Sequence, residues 1–395
     1  MQPDSSADTR GPSRSKLVRT LLPVFLYFLA AGIATVMLGP ILPTLIQHWH
    51  IQDAQAGTLF TASFAGQFCG AWFATRNLRA SVLFGSAITA AGCAAMAWAG
   101  FGSAHIALFG VGLGLGAGLT AGNVIAGTVV PAARARLIAI LNVVWGLGAI
   151  TCPLLVRILS VSGIQRFFFA AATFLAIASL VSFAIPQAQP AKSEFDASPP
   201  KASPLPLPVR LLIAFAAALF LYVGVENSLG GWLPSYAIRT NPLLRASSIS
   251  LYFWVAELSG RLLVTFLIVQ FGEAMLYRVC LALLILTQIL LCVAVHISAA
   301  GVVTLTILAA LSLAPLYPLI LSFLLARTGR HPKLGSLFAT ASFGGATLPW
   351  LTGVFSTSFN GLRAGLFVPA AGAILLLFLS TILPAKPHLS SLKEK

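Results

Sequence analysis

Apolar stretches of roughly 20 residues or more follow one another along the whole chain, and the gaps between them hold almost every charge. A helix of that length crosses the hydrocarbon core of a bilayer and satisfies its own backbone on the way. The 395 residues are 58% hydrophobic and 8% charged, against about 25% charged in an ordinary soluble protein. A soluble fold of this size has too much surface to hide that much apolar area. The sequence predicts an all-α membrane protein of twelve transmembrane helices, near 19–45, 56–76, 80–100, 104–131, 134–157, 166–186, 209–236, 247–270, 274–296, 299–326, 333–357 and 362–383.

The net charge of +15 would suggest nucleic acid in a soluble protein. Here the basic residues sit in short gaps and no basic face accompanies the aromatic residues, which argues against a nucleic-acid partner. Of the 24 Lys and Arg, eighteen fall in gaps on the side of the N-terminus, five (Arg157, Arg166, Arg239, Arg245 and Arg363) on the other side, and Arg261 inside a span. Lysine and arginine mark cytoplasmic gaps, so both termini are expected in the cytoplasm and the chain in the plasma (cell inner) membrane. A missed span would scramble that asymmetry. The five cysteines lie in apolar stretches without metal-site spacing and read as small buried hydrophobes. His48 and His50 alternate in a gap and make a poor metal site. No metal or cofactor is expected. No Ser/His/Asp or Cys/His set stands out inside the spans, which disfavours an enzyme.

The gap rich in Pro, Ser and Ala at 187–208 reads as a linker, giving a tail at 1–18, a six-helix bundle at 19–186, a second at 209–384 and a tail at 385–395. No cleavable signal peptide is expected, because the first apolar stretch is too long for one. The two bundles share weak self-similarity. AGQFCGAWFA in span 2 aligns with VAELSGRLLV in span 8, pairing Gln67 with Glu257 and Gly70 with Gly260. GLGAITCP, Gly146 to Pro153, matches the shorter GGATLP, Gly344 to Pro349. Both pairs fall at equivalent places, as parallel repeats require.

Only Glu226, Glu257 and Arg261 are charged within the spans. Charges there are costly and normally face a bundle interior or an aqueous path. Glu257 and Arg261 are four apart in the favourable order. They read either as a self-neutralised structural pair or as a gated pair lining a path. Glu226 has no cation within a turn. Desolvation disfavours a lone carboxylate, which suits a proton carrier, so Glu226 and Glu257 are the candidate proton-coupling residues. Gly230, Gly231 and Pro234 follow Glu226 and predict a weakened, bent helix, a candidate hinge. Asn123, Asn142, Trp145, Asn227, Tyr236, Tyr252, Arg261 and Tyr317 are candidate contacts for a small polar solute. Trp232, Tyr236 and Tyr252 also fit an interfacial aromatic belt, as do Trp49 and Trp98.

The span 4–5 unit GLTAGNVIAGTVVPAARARLIAILNVVWGLGAITCPLL, the ENSLGGWLPSYAIR run and FWVAELSGRLL resemble the major facilitator superfamily, and within it the fucose-permease-like sugar transporters. The resemblance covers nearly the whole chain in topology. It implies alternating access, with a solute site between the halves. That family carries a glutamate where this chain has Leu119, and an acid in span 1 that is missing here. Coupling would then fall to Glu226 or Glu257. The gap between spans 2 and 3 keeps Arg76 and Arg79, so Arg76 is a candidate gating residue, but it lacks the aspartate of the superfamily's gating motif. The expected function is proton-coupled import of a small polar organic solute, a sugar being one candidate, by a monomer in the lipid bilayer. The alternative is a drug or metabolite exporter, a proton antiporter, of the same fold. A non-transporting membrane sensor is the third. Gly148, Cys152 and Pro153 keep only part of the efflux branch's signature.

Overall fold

The computed structural model describes residues 14–74, 77–130, 133–186, 208–294, 296–328 and 334–383. Among these there is no strand, and helices account for nearly every residue. The helices are α1 (Arg14–Val36), α2 (Leu38–Trp49), α3 (Asp53–Phe73), α4 (Leu78–Met96), α5 (Phe101–Val129), α6 (Arg134–Leu159) and α7 (Ile164–Ser182) in the first half of the sequence. The second half has α8 (Val209–Thr240), α9 (Ala246–Phe271), α10 (Glu273–Val293), α11 (Ala299–Leu313), α12 (Leu316–Thr328), α13 (Leu334–Ser358), α14 (Leu362–Gly365) and α15 (Phe367–Leu379). The proposed linker at 187–208 apart from Pro208, Arg76, residues 1–13 and the tail at 385–395 lie outside the described residues; residues 14–18, expected in the first tail, instead open α1.

Three of the expected spans are each made of two helices, α1 with α2, α11 with α12 and α14 with α15. Each break has the same cause. A proline removes a backbone donor and its ring crowds the carbonyl four residues earlier. Pro40, Pro318 and Pro369 lie four residues after Val36, the α11 C-cap Ala314 and Gly365, where the three helices stop. Counted as spans, the helices are twelve. Ten are long and apolar enough to cross a membrane by composition alone. The other two are α3 and α13. They hold Gln55 and Gln67, and Ser342, Thr347 and Ser356, respectively. They pack along each other rather than lying alone against lipid. The outer surface is apolar instead of charged: Ile106 is 78% exposed, Phe266 72% and Val269 84%. That is the arrangement expected of a belt that meets acyl chains. Trp98, just beyond α4, is exposed and meets Phe169 edge to face, as a belt residue would.

The repeat seen weakly in sequence is built into the packing. Gly70 and Gly260, aligned by sequence, do the same job in the two halves. Gly70 lets α3 touch the backbone of α5 at Leu113, and Gly260 lets α9 approach α11 at Leu311 and Ala314. Gly148 and Gly344 lie five residues before Pro153 and Pro349 and are also equivalent. A Cβ on Gly148 would collide with the Leu29 carbonyl of α1, and one on Gly344 with the Phe220 carbonyl of α8. Small residues serve helix contact in lipid because apolar burial there gives little drive. The ends repeat as well. Arg79 at the start of α4 donates to the Phe183 carbonyl beyond α7 at 2.9 Å, and Arg278 of α10 donates to the Ser380 carbonyl beyond α15 at 3.4 Å. Each arginine satisfies a carbonyl left open by a helix C-terminus. The fold is thus two six-helix pseudo-repeats.

Candidate functional site

Two polar clusters lie where the halves meet. The first lies midway along α8 and α9. Arg261 Nη2 donates to Glu226 Oε1 at 2.8 Å and also to Glu257 Oε1. One guanidinium nitrogen therefore serves two carboxylates from different helices. The sequence reading of Glu226 as an isolated acid is corrected here. Its cation sits 35 positions away on the neighbouring helix, a distance that local spacing cannot reveal. Glu257 is 1% exposed, so it cannot rely on water for neutralisation.

Around this triad the aromatic residues close in. The buried Tyr222, one turn before Glu226, donates to Glu226 Oε1 at 2.7 Å. Its ring lies 5.3 Å from that of Tyr317 on α12. From the first half, Trp145 of α6 places its ring 5.6 Å from the Arg261 guanidinium carbon, a cation–π contact. Trp254, on the α9 face that carries Glu257, meets Trp145 edge to face at 5.9 Å. Arg261 Nε and Trp254 Nε1 are buried and have no hydrogen-bond partner among the described residues. The structure thus unites Glu226, Glu257, Arg261, Trp145 and Tyr317 from the sequence expectation and adds Tyr222 and Trp254. The i, i+4 spacing of Tyr222 and Glu226 and the i, i+3 spacing of Trp254 and Glu257 were signals available in the sequence.

The other expected residues lie elsewhere. Asn123, Asn142 and Asn227 each donate their amide to a carbonyl one turn back, Leu119, Ile138 and Val223, at 3.0, 2.9 and 2.9 Å. Tyr252 is 40% exposed. Tyr236 is buried and donates to the Leu291 carbonyl at 2.7 Å, so it is no belt residue. Trp232 is fully buried too, donates to the Pro349 carbonyl at 2.9 Å and packs against Phe60. Helix α8 runs unbroken through Gly230, Gly231 and Pro234. Its glycines are contact points: the Gly230 carbonyl meets Gly39 of α2, and Gly231 faces the Phe60 ring.

The second place is the end where α2 gives way to α3, here called the distal end. Asp53, the first residue of α3, receives a bidentate pair from Arg239 near the end of α8, both bonds 2.7 Å. Ser356 of α13 donates to Asp53 Oδ2 at 2.6 Å, and the Ala54 amide donates to Thr357 at 2.9 Å. Inward from there, Thr61 donates to the Ala346 carbonyl at 2.9 Å, and Phe68 packs on Phe343 with ring centroids 4.9 Å apart. These contacts form a seam between α3 and α13 that runs from the distal end toward the middle. From Arg239 back to Glu226 is about 20 Å along α8, at 1.5 Å per residue. The seam therefore lies on the distal side of the triad. Among the described residues no group of three or more His, Cys, Asp or Glu side chains is placed to hold a metal.

The comparisons with known proteins match this architecture. The sequence model of the Major Facilitator Superfamily matches residues 24–341. Among curated proteins, "Bypass of stop codon protein 6" of Saccharomyces cerevisiae is 25% identical over 282 residues, 62% of this chain. The chain spans 56% of that relative's length. Among solved structures, a bacterial homolog of the human lysosomal transporter Spinster, in an inward-facing and occupied conformation, superposes with TM-score 0.73 at 15% identity. It covers 95% of this chain and 100% of its own. A point mutant of the nucleoside transporter NupG gives 0.72 at 15% identity, over 93% of this chain and 99% of its own. A point mutant of the E. coli fucose:proton symporter FucP gives 0.64 at 19% identity, over 94% and 100%. At these identities the structural likeness concerns the fold.

Proposed function

The chain belongs to the Major Facilitator Superfamily, and on that premise we propose that it imports a small polar organic solute by alternating access, driven by protons. A sugar is one candidate solute. We place both termini in the cytoplasm and the chain, as a monomer, in the plasma membrane, with the distal end outward. The observation that carries the reading is the triad. With all three groups ionised, Glu226, Glu257 and Arg261 hold one more negative charge than positive in a site largely removed from water. One proton on either acid makes the site neutral and frees an Arg261 N–H from its carboxylate. That N–H, with Arg261 Nε and Trp254 Nε1, can then meet acceptors on a solute lying between Trp145 and Tyr317. Proton and solute would thus depend on the same guanidinium, which is what coupling requires.

The distal seam corresponds to the state closed to the outside. Opening it exposes the triad to external protons and solute; closing it again, with the other end open, delivers both to the cytoplasm. The test is uptake of a solute panel into proteoliposomes with and without an imposed pH gradient of either sign. Glu226→Gln mimics the protonated acid and cannot release a proton. It is expected to abolish gradient-driven accumulation while counterflow exchange persists. Accumulation by Glu226→Gln at the wild-type level would remove Glu226 from coupling. Accumulation driven only by a gradient of the opposite sense would make the protein an exporter.

A further inference from the structure

The Asp53–Arg239 pair does not sit in a packed wall. It borders a cavity of about 960 Å³ at the distal end that is also lined by Tyr236, Ser356, Asn360 and Arg363. Two guanidinium groups and one carboxylate face this space. The Arg239 side chain is 41% exposed, whereas Asp53 is only 10% exposed. Arg363 lies against the Tyr236 hydroxyl. The wider surface at this end carries the same sign. Its gaps hold Arg157, Arg166, Arg239, Arg245 and Arg363, and Asp53 is the one acid among them. Those arginines oppose the charge bias that orients the chain, so topology does not explain them. A cationic cavity concentrates anions and speeds their arrival.

We propose that this vestibule captures a carboxylate-bearing solute, whose carboxylate takes Arg239 from Asp53 and so loosens the distal seam. This narrows the reading above and rests on it. The exchange replaces one fork-to-carboxylate pair by another, so Arg239 keeps its charge-assisted bonds. Asp53 keeps the Ser356 hydroxyl and its place at the N-terminus of α3, where a negative charge is favoured. Before the exchange Asp53 ties α3 to α8 and α13 at once; afterwards it no longer holds α8. Arg363, in the cavity wall beside Tyr236, supplies the second cationic contact. Deeper in the molecule the unmatched donors Arg261 Nε and Trp254 Nε1 call for the same kind of ligand, one rich in acceptors.

The test uses the purified full-length protein in nanodiscs with matched probes: galactose against galacturonate, propanediol against lactate, and inorganic phosphate and chloride as anions without carbon. Binding is read by thermal stabilisation, and opening by maleimide labelling of a Thr357→Cys variant. At least one carboxylate is expected to bind and to raise labelling, while its neutral partner does neither. Arg363→Gln leaves the Asp53–Arg239 pair in place and is expected to weaken that binding by about ten-fold, the worth of one charge-assisted contact. Arg239→Gln is expected to label fully without any probe. No binding by either carboxylate, equal binding by the neutral partners, or an Arg363→Gln affinity equal to wild type overturns the proposal. Equal, Arg363-dependent binding of phosphate or chloride reassigns the site to an inorganic ion and also overturns it. Gradient-driven uptake of a neutral solute, with no vestibule binding of acids, sinks this inference and leaves the transport reading standing. Binding without any gradient-driven uptake does the reverse.

Discussion

Arg261 accepts more charge than it balances, and that imbalance sets what substitutions around it should do. Removing the guanidinium leaves two carboxylates facing each other, with Tyr222 donating to Glu226. Breaking a buried pair by deleting one partner costs about 3–5 kcal/mol, more than deleting both. Arg261→Gln is therefore expected to reduce folded yield sharply, Glu257→Gln less, and the triple variant Glu226→Gln/Glu257→Gln/Arg261→Gln to recover much of it without transport. Size-exclusion yield and thermal midpoint in detergent check this, and strictly additive losses would refute the shared guanidinium. The half of this site that spacing encodes, Glu257 with Arg261 four residues on, was legible in the sequence. The half that depends on how α8 lies against α9 was not, because helix register is set by packing and not by any local pattern. Asn123, Asn142 and Asn227 stood out as polar residues in apolar surroundings. Each has a simpler account, a bond to its own helix, which a sequence does not distinguish from a ligand contact.

At the scale of elements, the alternating glycines of α5 divide by face. A Cβ at Gly112 would run into the Ser63 carbonyl of α3, while one at Gly110 would meet nothing within 4 Å. The two residues look alike in sequence. Gly112→Ala must force α3 and α5 apart and is expected to cost about 1–3 kcal/mol or prevent folding. Gly110→Ala is expected to be neutral or slightly stabilising, since alanine is the better helix former by about 1 kcal/mol. Thermal unfolding of the two variants side by side checks the contrast, and equal midpoints would contradict the packing. The glycines of α8 follow the same logic. Expectation placed a bend at Gly230–Pro234 because glycine and proline weaken a helix in isolation. In the bundle the helix is continuous, and Gly230 and Gly231 give α2 and Phe60 room to approach. We expect Gly231→Ala to slow turnover by pushing Phe60 out of the seam; unchanged turnover would separate that contact from transport. Prolines mattered more where they end helices, at Pro40, Pro318 and Pro369; Pro43, Pro153 and Pro349 lie inside continuous helices, so ring geometry alone does not say which proline makes a break.

For the whole molecule, twelve spans put Asn360, in the exposed turn after α13, on the opposite side from the C-terminal tail. Single cysteines replacing Asn360 and Ser391 should therefore react with an impermeant maleimide from opposite sides of the membrane. Reaction of both from one side would refute the topology. The charge asymmetry supports this arrangement without any knowledge of packing, because the rule behind it acts gap by gap and needs no tertiary contact.

The two spans that fall short of the apolar standard, α3 and α13, are also the two that form the seam. In a transporter that alternates, the facing sides of such helices meet protein in one state and water in the other, and never have to dissolve in hydrocarbon. Their glutamines, serines and threonines can hydrogen-bond in both circumstances, whereas a leucine-rich face would cling to its partner and resist wetting. A modest hydropathy in an otherwise long helix is therefore a signature of periodic hydration. Scanned along the sequence, it singles out the two helices of the seam before any coordinate is known.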